Sequence, residues 1–358
     1  MPSIAWTNSC RITLKHPAYK DIYATVCKLT QNGAGLGFPG PTVVSLSRAR
    51  LNELDGTNGR DWVVSDKTDG ERFIMCFLTS YGKKRCVLVD RRGLLHLVEM
   101  NCPTFLFDGI GSALDGELVS MTPEDRMCYV VFDAFALRGS NCCHYDYITR
   151  HTIASTIVTH ILLMDPQRKY HSPDTFSSSS SSSSTMMTAF LMKPIFRMQE
   201  YKLFNSYVNT IKHKTEHKAL IFTFIADSLS HKSLVFKLKS KADNTVDFLV
   251  RGWKKEKSNT CAIAVQLWCS VKLVDYTGKL RFELIQFASS FWKFDDGAAD
   301  IDYNEKIVEC EFNLETQNWM PRKIRADKIH PNELVTVKAT LANIQENILH
   351  SDIPAFAP

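Results

Sequence analysis

The sequence predicts an α+β protein in which a larger domain, built on antiparallel sheets, is followed by a small β-barrel domain. The chain has 358 residues, and because one hydrophobic core stops growing at about 250–300 residues, two domains are expected. From Trp62 onward, apolar runs alternate with short polar turns, which is typical of an antiparallel meander. After Arg251 the runs become shorter and closely spaced, which favours a barrel. The predicted domains are residues 1–250 and 251–358.

The elements of the larger domain follow from apolar and β-branched runs and from two stretches with helical character. In residues 147–165, Ile153, Ile157 and Ile161 recur on one helical face, and residues 199–214 predict a second helix. A serine-rich segment at about 172–186 predicts a flexible surface insertion. The predicted strands are 42–46, 61–65, 72–78, 86–90, 94–98, 114–119, 129–137, 192–198, 220–225, 234–239 and 245–250.

In the smaller domain, four short strands are predicted at 261–267, 270–274, 280–284 and 307–312. Residues 331–349 predict a closing helix with Asn332 as its N-cap. Its apolar face consists of Leu334, Val337, Leu341, Ile344 and Ile348.

The composition indicates a globular protein that is compatible with a polyanionic substrate. Hydrophobic residues make up 44% and charged residues 23% of the chain, and the formal net charge is +5. None of the 11 cysteines forms a C-x-x-C pair, which argues against structural zinc. No apolar run reaches the roughly 20 residues that span a bilayer, and the N-terminal residues lack the pattern of a secretory signal. We expect a location in the nucleus, with the cytoplasm as the alternative.

Six short motifs occur along the chain, and five of them contain charged side chains. The first, Lys67-Thr68-Asp69-Gly70-Glu71-Arg72, follows an apolar run, and by itself it is also typical of a charged turn. The others are Asp115-Gly116-Glu117, Val131-Phe132-Asp133, Leu220-Ile221-Phe222, Phe236-Lys237-Leu238-Lys239, and Arg325-Ala326-Asp327-Lys328 with Pro331-Asn332. In this order, over about residues 38–345, they resemble the covalent nucleotidyltransferase superfamily, which contains DNA ligases, RNA ligases and mRNA capping guanylyltransferases.

Within that superfamily, three segments resemble capping guanylyltransferases rather than ligases. They are residues 38–46, which begin Phe38-Pro39-Gly40-Pro41, residues 244–249, and residues 325–332. The resemblance implies that GTP is the nucleotide. It also implies a nucleotidyltransferase fold for the larger domain and an OB-fold for the smaller one.

The chemistry of lysine supports the same interpretation. A lysine amine is a nucleophile only when it is deprotonated, and its ordinary pKa is about 10.4. Neighbouring cations lower that pKa and also stabilise negative charge on a phosphate in transfer. Lys237, Lys239, Arg72 and Arg91 are the predicted sources of such a field around Lys67. By itself, the alternation of Lys237 and Lys239 is also typical of an exposed strand face.

The resemblance implies a role for each matching residue. Lys67 would attack the α-phosphate of GTP and form lysyl-GMP, with Lys237 and Lys239 on that phosphate, and the GMP would pass to the 5′-diphosphate end of an RNA. A divalent cation, Mg²⁺ or Mn²⁺, is implied, with Glu117 on the metal or the ribose. The other implied GTP ligands are Arg72 and Arg91 for ribose or phosphate, Phe132 for stacking on guanine, Lys193 for the purine edge, Arg325 and Lys328 for the β- and γ-phosphates, and Asp327 beside them.

One position departs from the family pattern. The family has an acid and a glycine before the strand that matches Leu220-Ile221-Phe222, whereas this chain has Lys218-Ala219. The family carboxylate helps to hold the metal, so a cation in its place reverses the local charge, and nearby Glu216 is not at the same position. A catalytically impaired, RNA-binding relic of the family is therefore one alternative function.

A second alternative is an ATP-dependent polynucleotide ligase, which uses the same covalent chemistry with a different nucleotide and acceptor. No triphosphatase motif precedes the match in the sequence. We therefore expect a separate RNA triphosphatase as a partner, together with the transcription machinery, and no membrane.

Overall fold

The computed structural model of the chain describes most of both predicted domains. The described residues are 11–13, 15–31, 38–55, 61–120, 127–165, 187–212, 219–226, 229, 234–239, 243–252, 262–274, 280–293, 301–326 and 328–353. The predicted serine-rich insertion lies outside them. The chain divides into two compact units, Met1–Val44 with Leu54–Lys237 and Ala355–Pro358, and Ser45–Glu53 with Leu238–Pro354.

The described residues contain mixed strands and helices, as the sequence predicts. The strands are β1 (Arg11–Ile12), β2 (Val44–Ser45), β3 (Trp62–Asp66), β4 (Glu71–Ser80), β5 (Lys83–Val89), β6 (Leu95–Val98), β7 (Ser112–Ser120), β8 (Met127–Leu137), β9 (Ser140–Asn141), β10 (Met187–Met192), β11 (Phe196–Arg197), β12 (Leu220–Phe224), β13 (Val235–Leu238), β14 (Thr245–Arg251), β15 (Ala262–Val274), β16 (Leu280–Lys293), β17 (Lys306–Asn313) and β18 (Asn318–Ile324). The α-helices are α1 (Tyr19–Leu29), α2 (Arg48–Asp55), α3 (Tyr147–Met164), α4 (Tyr201–Lys212) and α5 (Leu334–Glu346).

The first unit contains an eight-stranded sheet with the order β1-β6-β5-β4-β7-β8-β10, in which β9 also pairs with β8. Its pairings are antiparallel, except that β10 runs parallel to β8. The central strand β4 is buried on both faces. Phe73 and Phe77 belong to the core that contains α3, whereas Ile74 and Leu78 belong to the core that contains α1. This double burial explains why β4 is almost continuously apolar.

A second sheet has the order β11-β3-β12-β13-β2. β3 pairs antiparallel with both β11 and β12, and the indole of Trp62 stacks on Phe236 at a centroid distance of 5.2 Å. The single strand predicted for residues 192–198 is wrong, because β10 ends at Met192 and β11 belongs to this other sheet. Pro194 lies between them, and its missing N–H prevents a continuous ladder.

The second unit contains a five-stranded antiparallel sheet with the order β16-β15-β14-β17-β18. Phe248, Trp292 and Trp319 form its core with Val337 and Ile344 of α5. The predicted division after residue 250 is displaced, since the chain divides between Lys237 and Leu238. The reason is that β14 pairs with β15 and β17 and so belongs to this sheet.

Three predictions for the second unit need correction. Residues 262–274 form one strand rather than two, with a register shift at Leu267–Trp268, and β16 extends to Lys293 instead of ending at residue 284. Strand β18 was not predicted. The N-cap of α5 is Glu333, without a side-chain bond, rather than Asn332.

None of the helices that the structure describes is long and apolar enough to cross a membrane.

Candidate active site

Lys67 lies directly after β3, in the first unit. Its backbone N–H donates to the carbonyl oxygen of Ala219 at 2.8 Å, so the pairing of β3 with β12 fixes the position of its backbone. The ammonium donates to the carbonyl oxygen of Thr68 at 3.3 Å, which is a long hydrogen bond. The residue that departs from the family pattern, Ala219, is therefore in direct contact with the predicted nucleophile. Lys218 lies outside the described residues.

Gly70 lets the chain turn from Lys67 into β4 against the neighbouring strand β7. A Cβ atom at this position would lie 2.8 Å from the carbonyl oxygen of Leu118 and 2.9 Å from the side chain of Val119. Real Cβ atoms do not approach this closely, so any larger residue would push the loop away from β7. The glycine of the first motif is therefore required by close packing.

Arg72 is held in a buried network. Its side chain, 8% exposed, makes a two-pronged ion pair with Asp115, in which Nε lies 2.9 Å from Oδ1. A further guanidinium nitrogen donates to the carbonyl oxygen of Pro41 at 2.8 Å, and the guanidinium carbon lies 5.2 Å from the centre of the Phe38 ring. The segment that begins at Phe38 therefore packs on the first motif, and this contact explains why the two occur together.

Phe132 presents its ring to two cations. The guanidinium carbon of Arg72 lies 5.5 Å and the ammonium of Lys193 5.6 Å from the ring centre. Lys193 is buried and donates to the hydroxyl of Thr68 at 2.7 Å. Burial lowers the pKa of Lys193, although the negative charges of Glu117 and Asp66 act against that shift. The structure thus brings Phe132, Lys193 and Arg72 together, and Lys193 connects this group to Thr68, the residue that follows Lys67.

A second buried network contacts the backbone of Phe132. Asp133 pairs with Arg150 of α3, with a distance of 2.8 Å between Oδ1 and Nε. The hydroxyl of Tyr147 donates to the carbonyl oxygen of Phe132 at 3.1 Å. Sequence reasoning assigned no role to Arg150 or Tyr147. The acid that interrupts the apolar run of β8 was the only signal for this network.

Glu117 lies opposite Arg72 in the pairing of β4 with β7. Its Oε2 atom is buried and has no hydrogen-bond partner among the residues that the structure describes. A buried carboxylate oxygen without a donor is costly, so this position is suited to a cation or a ribose hydroxyl. Within the described ranges, no group of three or more His, Cys, Asp or Glu side chains is placed to hold a metal. Glu117 nevertheless fits the way Mg²⁺ is bound by one or two carboxylates and substrate phosphates.

Arg91 and the paired lysines lie on other elements. Arg91 is exposed in the turn after β5. Burial raises the pKa of Asp115, and the charge of Arg72 acts against that rise. Lys237 is half-buried on β13, in the first unit, whereas Lys239 belongs to the second unit and donates to the carbonyl oxygen of Asp243 at 3.4 Å.

The predicted phosphate ligands Arg325 and Lys328 belong to the second unit. The Arg325 side chain, 13% exposed, lies 3.0 Å and 3.1 Å from the two carboxylate oxygens of Asp247 and 3.5 Å from Glu309. Lys328 is exposed, and Asp327 lies outside the described residues. The backbone N–H of Asn332 donates to the carbonyl oxygen of Asp247, and the backbone N–H of Asp247 donates to the side-chain Oδ1 of Asn332, both at 2.8 Å. Asp247 therefore links residues 244–249 to residues 325–332, the two segments of this unit that resemble capping guanylyltransferases. The sequence analysis assigned no role to Asp247 itself.

The chain is similar to known proteins over most of its length. Residues 9–241 match the family model of the mRNA capping enzyme catalytic domain, and residues 243–353 match the model of the mRNA capping enzyme C-terminal domain. A solved structure, the ATP-dependent DNA ligase from bacteriophage T7 in complex with ATP, matches 82% of this chain and 97% of its own chain at 11% identity, with a TM-score of 0.38.

Three fungal proteins named mRNA-capping enzyme subunit alpha are similar over most of their length. The protein of Candida glabrata is 23% identical over 95% of this chain and 84% of its own. The Saccharomyces cerevisiae protein is 24% identical over 93% and 82%, and the Schizosaccharomyces pombe protein is 26% identical over 88% and 79%. Because one family model covers more than half of the sequence and a second covers most of the rest, the chain belongs to the mRNA capping enzyme family.

Proposed function

We propose that this chain is an mRNA guanylyltransferase that transfers GMP from GTP, through a covalent intermediate on Lys67, to the 5′-diphosphate end of RNA. The observation that carries the proposal is the arrangement around Lys67. The lysine follows a strand whose partner fixes its backbone, and Thr68, Lys193, Phe132 and Arg72 are connected next to it. This arrangement combines a nucleophile, an aromatic ring and cations, as transfer from a nucleoside triphosphate requires.

In the first step, the neutral amine of Lys67 forms a bond to the α-phosphorus of GTP. The bond from that phosphorus to the bridging oxygen breaks, pyrophosphate leaves with the electron pair, and the new phosphoramidate nitrogen loses a proton to solvent. Lys237 and Lys239 are proposed to bind the α-phosphate, and Arg325 and Lys328 the β- and γ-phosphates, with Asp327 next to them.

In the second step, a terminal oxygen of the RNA diphosphate attacks the same phosphorus. The phosphorus–nitrogen bond breaks, Lys67 takes up a proton, and a 5′–5′ triphosphate bridge remains on the RNA. A divalent cation would withdraw electron density from the reacting phosphorus and neutralise the leaving pyrophosphate. Glu117 is the residue of the described chain that we propose to hold it, because its buried Oε2 has no donor among those residues.

Guanine selection is proposed for Phe132 and Lys193. The ring of Phe132 is half-buried and would stack on the base. The Lys193 ammonium, 5.6 Å from the centre of that ring, would donate to the oxygen on the purine edge. Arg72 and Arg91 are proposed ligands of the ribose or the phosphates. Adenine presents an amino group at that edge instead of an oxygen, so these contacts favour GTP over ATP.

Three finer assignments complete the proposal. We propose that the five-stranded sheet of the second unit is an OB-fold and that the larger unit has the nucleotidyltransferase fold. The relatives are named as alpha subunits, and we propose that this chain likewise acts with a separate RNA triphosphatase that supplies the 5′-diphosphate end. The nucleus, where transcripts are made, is the proposed location.

The test is incubation of the purified chain with GTP or ATP labelled at the α-phosphate, with Mg²⁺ or Mn²⁺ present. We expect acid-labile label to remain on the protein from GTP only. Lys67→Ala should abolish it, and Lys83→Ala, which changes an exposed lysine at the start of β5, should not. Retention of label from ATP alone would contradict the proposal and support the alternative of an ATP-dependent ligase. Absence of label from either nucleotide would favour the RNA-binding relic.

A further inference from the structure

The second unit contains a cavity whose wall includes the proposed phosphate ligands Arg325 and Lys328. Other residues of the wall have no role in the proposed reaction. Its volume is ≈ 580 Å³, within the range of roughly 300–1,000 Å³ that is typical of small-ligand sites. Strand β16 and the loop before α5 supply most of its wall. We call it the Phe282 cavity, and the lining residues used below are Phe282, Leu284, Lys306, Lys328, Ile329 and His330.

An exposed aromatic pair forms one wall of the Phe282 cavity. The rings of Phe282 and His330 are nearly parallel, with an angle of 15° and a centroid distance of 5.7 Å. Phe282 is 48% exposed and Ile329, next to His330, is 87% exposed. Apolar surface grouped in this way at a concave site marks a place where a ligand binds. Flat parallel rings are suited to a flat ligand ring.

The charges at the Phe282 cavity favour an anionic ligand. The two carboxylates in its wall are already paired, Glu283 with Arg281 at 2.8 Å and Glu305 with Arg251 at 3.0 Å. Lys306 and Lys328 also line the cavity, and among the described residues neither ammonium is in an ion pair. Lys306 donates to a backbone carbonyl, that of Asp302. The remaining charge at the wall is therefore positive.

A stacking surface next to cations is the combination that binds single-stranded nucleic acid. Bases stack on aromatic side chains while lysines contact the phosphates, and this binding tolerates different sequences because every base has a flat face. An acidic peptide would satisfy the lysines but would leave the ring pair without a partner of matching shape. The observations therefore favour single-stranded RNA over a peptide.

We propose that the Phe282 cavity binds the RNA acceptor, with one unpaired base of the transcript stacked on Phe282 and His330 and its phosphates near Lys306 and Lys328. The proposal rests on the guanylyltransferase function proposed above and adds where the acceptor is held. Because every capped transcript has a different sequence, a site that stacks a base without reading its edge matches the substrate.

The direct test is the affinity of the full chain for a fluorescent single-stranded RNA with a 5′-diphosphate end, measured by anisotropy. Phe282→Ala should bind roughly tenfold more weakly, the usual scale for loss of one stacked base, and His330→Ala should also weaken binding. Phe282→Trp should restore affinity. The matched control is Phe291→Ala, which removes a 62% exposed phenylalanine from the same strand but outside the cavity. Its affinity should equal that of the unchanged chain.

A second readout separates this proposal from the proposed function. Lysyl-GMP formation from GTP without RNA should be the same in Phe282→Ala and in the unchanged chain, whereas the KM for RNA in the transfer step should rise. If the unchanged chain forms no lysyl-GMP, the guanylyltransferase proposal fails, but the anisotropy series still tests the cavity. Equal RNA affinity of Phe282→Ala and Phe291→Ala would overturn the cavity proposal.

Discussion

At the scale of single residues, the main result is that Lys67 is fixed through its backbone while its amine is only loosely held. The backbone bond to Ala219 is 2.8 Å long, whereas the amine makes a 3.3 Å contact to the carbonyl oxygen of Thr68. A nucleophile must exchange its resting contact for the substrate, and a weak contact costs little to lose. Strong bonds are instead made by its neighbours, Lys193 and Arg72.

The Arg72–Asp115 pair gives a stability prediction. Asp115→Asn would leave the guanidinium of Arg72 buried without its counter-charge, so we expect a loss of about 3 kcal/mol or more in the free energy of unfolding, measured with urea. Asp108→Asn is the control, because Asp108 pairs with Arg138 at 3.2 Å on the surface and exposed pairs contribute about 1 kcal/mol or less. Equal losses for the two variants would contradict the structural role of the buried pair.

The departure before β12 gives a prediction about activity. Ala219 contacts Lys67 through its carbonyl oxygen, so a carboxylate introduced at the preceding position is expected to help hold a divalent cation near the reacting phosphate. Lys218→Asp combined with Ala219→Gly should therefore raise the rate of lysyl-GMP formation several-fold, measured in a single turnover with a metal series. Ala219→Gly alone is the control and should change the rate little. An unchanged rate in the double variant would show that the departure does not limit catalysis.

At the scale of elements, most strands and helices of the first unit could be predicted because their burial patterns are local. Strand β4 is buried on both faces and reads as one apolar run, and α3 spans almost the predicted residues. Helix α1 was missed, although Ile22, Val26 and Leu29 are buried along one of its faces. That pattern was present in the sequence and could have been recognised.

The errors in the second unit have a different cause. β18 lies at the sheet edge and contains Pro321. A proline in a sequence argues against a strand, but an edge strand tolerates one. β15 and β16 form one long antiparallel pair, and the register shift at Leu267–Trp268 lies where the first of the two predicted strands was expected to end. The length of each strand depends on its pairing with the other strand. The apolar pattern of either strand alone does not show that length.

The turn from Lys67 into β4 gives a prediction at this scale. In Gly70→Ala the new methyl group would lie 2.8 Å from the carbonyl oxygen of Leu118, so the loop must move and carry Lys67 with it. We expect a loss of about 1–3 kcal/mol in stability and a fall of at least tenfold in lysyl-GMP formation, because small displacements of reacting groups cost about this much or more.

The control for that variant is Gly82→Ala. Unlike Gly70, Gly82 has a positive φ of +70°, which favours glycine, and a Cβ there meets no atom within 4 Å. Its cost should be limited to backbone strain of about 1 kcal/mol, with labelling unchanged. If Gly70→Ala labels as well as Gly82→Ala, then close packing against β7 does not position Lys67.

At the scale of the whole molecule, the predicted site residues are divided between the two units. Lys67, Arg72, Glu117, Phe132 and Lys193 belong to the first, whereas Lys239, Arg325 and Lys328 belong to the second. The family resemblance of the motifs and of Lys193 predicts this set, and the roles of its members stay predictions. The ion pairs that hold them were not predictable, because Arg72 and Asp115 are 43 residues apart, and Arg325 and Asp247 are 78 apart. Such partners are defined only by the fold.

The measurement that tests the central claim most directly is mapping of the nucleotide on the protein. The chain is incubated with GTP and a divalent cation, digested under mildly alkaline conditions that preserve a phosphoramidate, and analysed by mass spectrometry. We predict one GMP adduct, on the peptide that contains Lys67, which is discharged when 5′-diphosphate RNA is added. A GMP adduct on another lysine, or one on Lys67 that RNA does not discharge, would contradict the proposed mechanism.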